Sequence, residues 1–249
     1  MPLAAKRPFL AVVLGIAAVS ACAPAPQPPD HTARFKVLGA VASYDREGWS
    51  IAGSDAAVAA RTMALPFEGV PALRLRAGSP GFAIVRRTHT KLLVTPFLSW
   101  SWFLDYQATV EPPLRLIVGF RGGRRQDGPP APAPTEVGLP EHDRRLELVW
   151  TESALQRGSL VDSVAATPVD ARDRAVRRYA VRGGRENAIT WWLETIDLAT
   201  LYAKAWPSDD QRAAQIAFYG LWSPDTPGRQ GDGNAPPATA FLSGFALSR

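Results

Sequence analysis

The sequence predicts an all-β domain, an antiparallel sandwich or barrel, spanning residues 35–249 with one short α-helix near residues 197–206. Three observations predict it. Runs of five to nine residues rich in Val, Ile, Leu, Phe and Trp recur along the chain, either alternating or continuously apolar. Gly, Pro, Asp and Ser separate these runs, as hairpin and loop connections require. Helical periodicity is confined to two places. A chain of this length is ordinary for a single sandwich.

In order, the runs are Phe35–Val41, Ala72–Ala77, Gly81–Arg86, Phe97–Leu104, Leu114–Phe120, Leu146–Thr151, Arg178–Val181, Ile189–Glu194, Ile216–Trp222 and Ala240–Leu247. Between the eighth and ninth, DLATLYAKAW places Leu198, Leu201, Tyr202 and Ala205 at i, i+3, i+4 and i+7. This is the apolar stripe of a helix packed on a core. Thr195 or Asp197 stands where a cap belongs, and Pro207 follows. Ala56–Arg61 is long enough for a short helical turn. The connections 121–143 and 223–237 are long and rich in Pro and Gly; loops of that length in a compact domain are commonly functional.

The first residues have a different logic. Lys6 and Arg7 precede an apolar stretch from Phe9 to Val19, the size of a signal-peptide core. A transmembrane helix needs about 20 apolar residues, so this stretch is too short to span a bilayer. It closes on Val19-Ser20-Ala21-Cys22. That segment resembles the lipobox of bacterial lipoprotein precursors, which implies cleavage after residue 21 and lipidation of Cys22. Cys22 is the only cysteine, so no intramolecular disulfide is available. Several acyl chains on one cysteine make a stable anchor where one chain would be marginal. The expected organisation is therefore a signal peptide over 1–21, a lipidated cysteine with a proline-rich tether over 22–34, and the domain over 35–249. The prolines of APAPQPPD keep the tether extended. The same resemblance to lipoprotein precursors implies, with Ala23 rather than aspartate at the following position, an outer-membrane lipoprotein facing the periplasm.

Charge excludes little but does bear on partners. Removing residues 1–21 takes away Lys6 and Arg7 and no acidic residue, so the net charge falls from +5 to +3. The pairs Arg86-Arg87, Arg124-Arg125, Arg144-Arg145 and Arg177-Arg178 are scattered and read as solvated strand ends or loops. No basic stripe with a nucleic-acid-binding motif is present, so nucleic acid is not an expected partner.

Read in order, several segments resemble a bacterial family known only as domain of unknown function 3047. They are TPFLSWSW (95–102), Leu114–Phe120, LELVW (146–150), RRYAV (177–181) with its Gly-Gly turn, and WWLE (191–194) leading into Asp197–Ala205. Ile216–Trp222 with SPDT, and the last strand Phe241–Leu247, complete the set. The resemblance covers roughly residues 45–249. It implies a jelly-roll sandwich similar to carbohydrate-binding modules and galactose-binding-like domains, and no established activity. The acidic pair expected after the Trp-Ser-Trp strand is absent, because residues 105–113 read DYQATVEPP.

Catalytic constellations are sparse. Neither GSPG (78–81) nor RGSL (157–160) has the spacing of a nucleophile elbow. His31, His89 and His142 stand apart from one another, which is no zinc pattern. EHDRRLE (141–147) is the nearest approach to a glycosidase carboxylate pair, and its first half lies in a loop. No catalytic residue and no cofactor is assigned. Asp225 and Asp232 in the glycine-rich loop are weak calcium candidates, since no bidentate Glu closes the loop.

The tryptophans carry the functional expectation. Trp100 and Trp102 are two apart on a strand and project from one face. Trp191 and Trp192 are consecutive and project from opposite faces. Indoles on a solvent-facing sheet stack on sugar rings, whereas indoles between sheets fill the core. Trp100, Trp222 and one of the adjacent pair are expected in the core, and Trp191, Trp192, Trp100 and Trp102 are the ligand-binding candidates. The reading that follows is a lipid-anchored envelope module, non-catalytic, binding a glycan or another envelope ligand. The alternatives are a polysaccharide hydrolase or lyase that leaves no linear motif, and a structural subunit of an envelope assembly.

Overall fold

In a computed structural model of the chain, residues 48–105, 112–124, 138–161, 175–226 and 238–249 are described. Cys22, the tether, the expected strand Phe35–Val41 and Asp232 lie outside them. The described residues form a jelly-roll-like β-sandwich of eleven strands in two sheets. The strands are β1 (Trp49–Gly53), β2 (Thr62–Phe67), β3 (Val70–Arg76), β4 (Phe82–Lys91), β5 (Phe97–Asp105), β6 (Arg115–Arg121) and β7 (Arg144–Thr151). After them come β8 (Val176–Gly183), β9 (Trp192–Asp197), β10 (Gln215–Ser223) and β11 (Thr239–Ser248). One sheet has the order β1-β4-β10-β6-β7-β8 and the other β2-β3-β11-β5-β9.

Eight of the expected runs coincide with strands, and a ninth, Ile189–Glu194, overlaps β9 only at residues 192–194. The two strands not foreseen, β1 and β2, are both sheet edges. WSIAG ends in glycine, and TMALPF carries Pro66, which a central strand does not tolerate. Edge strands are half-solvated, so they lack the continuous apolar run that marks a buried strand. The antiparallel expectation needs one correction: β7 and β8 pair in parallel, Leu146 opposite Arg177 and Leu148 opposite Tyr179. A parallel neighbour requires a crossover, here the long connection from 152 to 175.

There are two α-helices among the described residues: the one expected near 197–206, and the short turn read at Ala56–Arg61, which is a helix of seven residues. Helix α1 (Asp55–Arg61) starts at Ser54, whose side chain accepts from the Ala57 N–H. Its last residue, Arg61, is buried and donates to the carbonyls of Arg76 and Pro80 and to Ser223 Oγ. Helix α2 (Leu198–Ala205) is capped by Asp197, which accepts from the N–H groups of Ala199 and Thr200. Leu198, Leu201, Tyr202 and Ala205 are all buried, so the stripe read in the sequence is the packed face.

The core between the sheets takes one face of every central strand. Trp100 and Trp102 lie within it, fully buried, with ring centroids 5.6 Å apart and nearly perpendicular. Trp150 reaches across from the other sheet to 5.5 Å from Trp102. Helix α2 adds Tyr202 and the residue just after it adds Trp206, both against Phe120. Tyr202 donates to Asp209, which also pairs with Arg144 at 2.8 Å. Burial, and secondly the Asp209 carboxylate, push the Tyr202 phenol far above its ordinary value.

The sandwich is closed at one side by charge. β8 and β9 end their respective sheets, and Arg182 on β8 bonds Glu194 on β9 at 2.6 Å. The same guanidinium lies 3.5 Å from the Trp192 ring centroid, and the Trp192 indole donates to the Asn187 carbonyl at 2.7 Å.

Candidate binding face

Strand alternation that sends Leu146 and Leu148 into the core sends Arg145 and Glu147 to the outer face of the six-stranded sheet. Neighbouring strands bring their outward residues alongside. Ile117 and Arg178 flank Glu147, and Trp222 faces Arg115. Arg145 Nη2 reaches Glu147 Oε1 at 3.0 Å, while Arg115 Nη1 at 3.0 Å and Arg178 Nε at 2.9 Å share Oε2. Three guanidiniums thus converge on one carboxylate. Burial works to raise the Glu147 pKa, but the charges of Arg115, Arg145 and Arg178 outweigh it and hold the group below its ordinary value.

The second feature is aromatic. Trp222 is half-buried on this face, with the Arg145 guanidinium 4.7 Å from its ring centroid. Beside it Phe218 lies over Gly119, where a Cβ would occupy the ring position. Segment 138–143 roofs this part of the face. Leu139 packs with Ala52, Val85, Ile117 and Phe218, and the His142 ring meets Phe218 edge-on at 5.0 Å. His142 Nδ1 is 2.7 Å from the Pro140 carbonyl and so carries the proton, while Nε2 is buried without a partner among the described residues.

Burial lowers the His142 pKa from its ordinary value, opposed by the Pro140 bond and assisted by Arg145. With the folded value depressed, the unfolded chain binds a proton that the folded chain refuses. Stability from this group is therefore lost as pH falls below about 6.5. Urea unfolding should show a loss approaching about 1.4 kcal/mol per pH unit at most in that window, the limit for one proton. His142→Asn, which keeps a donor for Pro140, should remove that slope.

The opposite face, on the five-stranded sheet, carries an apolar cluster. Phe67 stacks on Phe241 with centroids 3.8 Å apart and meets Phe103 edge-on at 4.9 Å; Trp191 lies 5.8 Å from Phe103. Leu193 and Ile189 are exposed close by in sequence.

The structure therefore separates the four ligand-binding candidates. Trp191 and Trp192 do take opposite faces, Trp191 outward and Trp192 against the core. Trp192 has its indole nitrogen bonded and Arg182 on its ring. Trp100 and Trp102 require correction as ligand contacts, because the face they share is the inter-sheet one and neither reaches solvent. Trp222 requires the reverse correction: expected in the core, it belongs to the outer-face cluster. Asp225 is exposed, and no group of three or more acidic, His or Cys side chains suited to a metal occurs among the described residues.

The carboxylates of 141–147 do not converge. Glu141 sits 3.8 Å from Arg121 in solvent, Asp143 accepts from the Gly122 N–H, and Glu147 lies within the arginine cluster. Two arginine pairs read as solvated surface are largely buried instead. Each pair sends one residue to either face: Arg144 goes to Asp209 and Arg177 to the Ala205 carbonyl, while Arg145 and Arg178 go to Glu147. The spacing Arg145-x-Glu147 held part of this signal, since i and i+2 share a face. Arg115, Arg178 and Trp222 come from other strands and leave no linear trace.

No protein-family model matches the chain, and no curated protein matches it. Among solved structures, endoglucanase 3 of Trichoderma harzianum, from family GH12, is similar with a TM-score of 0.41 at 8% identity, over 81% of this chain and 92% of that one. The native family 12 xyloglucanase of Bacillus licheniformis has a TM-score of 0.38 at 10% identity, over 81% and 86%. The xyloglucanase domain of NopAA, a type three effector from Sinorhizobium fredii in complex with cellobiose, has 0.35 at 11%, over 80% and 86%. At such scores and identities nothing about activity passes from those proteins to this chain.

Proposed function

We propose that this protein is a lipid-anchored cell-envelope module, a member of the family it resembles in sequence, that binds a glycan without cleaving it. The anchor is Cys22 and the membrane is the outer one, on the strength of the residues around the lipobox. The binding face is the outer surface of the six-stranded sheet. The observation that carries this is the Arg115–Arg145–Arg178–Glu147 cluster beside Trp222. An outward sheet face satisfies its polar groups in water at no cost, so burying charges there is expensive. Such a cluster does nothing for the packing between the sheets, and it fixes the orientation of its guanidiniums and of an indole. Fixed polar groups around an aromatic surface are the make-up of a ligand site. Glu147 is a poor general acid, since a proton donor in glycoside hydrolysis needs a raised pKa and this group is shifted the other way.

The test is titration of the full-length protein with envelope and plant glycans, read by tryptophan fluorescence. A saturable change lost in Trp222→Ala and kept in Trp191→Ala is the expected result. Loss in Trp191→Ala alone would move the ligand to the five-stranded sheet. Release of reducing ends from any of the glycans would make the protein an enzyme and overturn the reading.

A further inference from the structure

We infer that the ligand of this face is an acidic oligosaccharide, one that carries anionic oxygen groups as carboxylate or phosphate; this rests on the glycan-binding reading above. Arg115 and Arg145 already hold Glu147 between them, each at 3.0 Å. The third bond, from Arg178 Nε, therefore orients that side chain more than it neutralises it. Arg178 is 42% exposed in its side chain, against 10% for Arg115 and 3% for Arg145. Among the described residues it pairs with no acidic group other than Glu147, and it does so through Nε. With Nε tied to a buried carboxylate, the guanidinium is pre-oriented, and its outer edge offers the paired N–H groups that match a carboxylate or phosphate. Pre-orientation removes the entropy cost that makes exposed arginines weak partners.

The geometry also sets a size. Trp222 on β10 and Arg178 on β8 are separated by β6 and β7, three strand spacings or about 14 Å. A ligand that stacks on the indole and reaches Arg178 spans more than one sugar ring. A neutral glycan would use the indole and leave the guanidinium edge without a counter-charge.

The experiment is calorimetric titration of the full-length protein with three probes. They are a galacturonate trisaccharide, the neutral galactose trisaccharide of the same linkage, and a trisaccharide carrying a terminal phosphate in place of the carboxylates. At least one acidic trisaccharide is expected to bind tenfold or more tightly than the neutral one, and which of the two binds identifies the anionic group. Arg178→Gln should cost the acidic ligand at least tenfold, and Arg178→Lys should recover part of the loss. Equal affinity for acidic and neutral probes, or an unaffected Arg178→Gln, overturns the inference. Binding of some other neutral glycan that depends on Trp222 would leave the glycan reading standing while the acidic class falls. Failure of every glycan, acidic or neutral, sinks both.

Discussion

Glu147→Gln is expected to lower the unfolding free energy by about 3–5 kcal/mol, as removal of one partner from a buried ionic cluster does. The side chain keeps its volume, so the effect isolates charge. Arg145 and Arg115 are nearly excluded from solvent, and in the variant they lose the carboxylate that offsets their desolvation. The size follows from the setting: a neutral amide withdraws the negative charge set against guanidiniums where water reaches poorly. Urea unfolding followed by tryptophan fluorescence measures it. Adding Arg145→Met to the variant should recover part of the loss, because the apolar chain relieves the excess of positive charge around position 147. A loss below about 1 kcal/mol would mean that the cluster is effectively hydrated. The pH dependence has a definite sign. The folded pKa of Glu147 is depressed, so its contribution is complete above the ordinary carboxylate value and is lost as pH falls below about 4.5. The glutamine variant should lack that part of the acid limb.

Trp102→Ala is the second large effect, at about 3–5 kcal/mol of stability. Trp102 is fully buried between Trp100 and Trp150, with a centroid within 5.6 Å of each. The interior cannot collapse onto so large a void, so a cavity term adds to the lost transfer energy. Chemical denaturation of the two proteins checks it. A ligand role would predict the opposite pattern, with stability kept and binding lost. Together with Trp222→Ala, the substitution separates the indoles that hold the sheets together from the one that faces outward.

Much of the fold was legible because central strands of a sandwich are buried on one face or both and leave apolar runs. β5, β6, β7 and β10 are all of this kind, and helix α2 declared itself through the spacing of Leu198, Leu201, Tyr202 and Ala205. β1 and β2 were not legible, since an edge strand is half in water and its composition is shaped by the need to avoid further pairing. The parallel pairing of β7 with β8 was equally hidden, because strand direction depends on where a crossover lands and not on any residue in the strand.

The candidate site divides along the same line. Local rules told which residues share a face: Trp100 with Trp102, Arg145 with Glu147, Trp191 opposed to Trp192. Alternation has a period but no absolute phase, so nothing in the local sequence states which face is the core. Trp100 and Trp102 proved to be inward, and Trp222 outward. Residue pattern along the chain was enough for the β-class of the domain, most strand positions, the α2 helix and the relative facing of neighbours along a strand. That Arg115, Arg145 and Arg178, from three strands up to 63 positions apart in the chain, meet on Glu147 emerges in the folded sheet alone. Strand order brought them together, and strand order is a long-range outcome of packing both sheets at once.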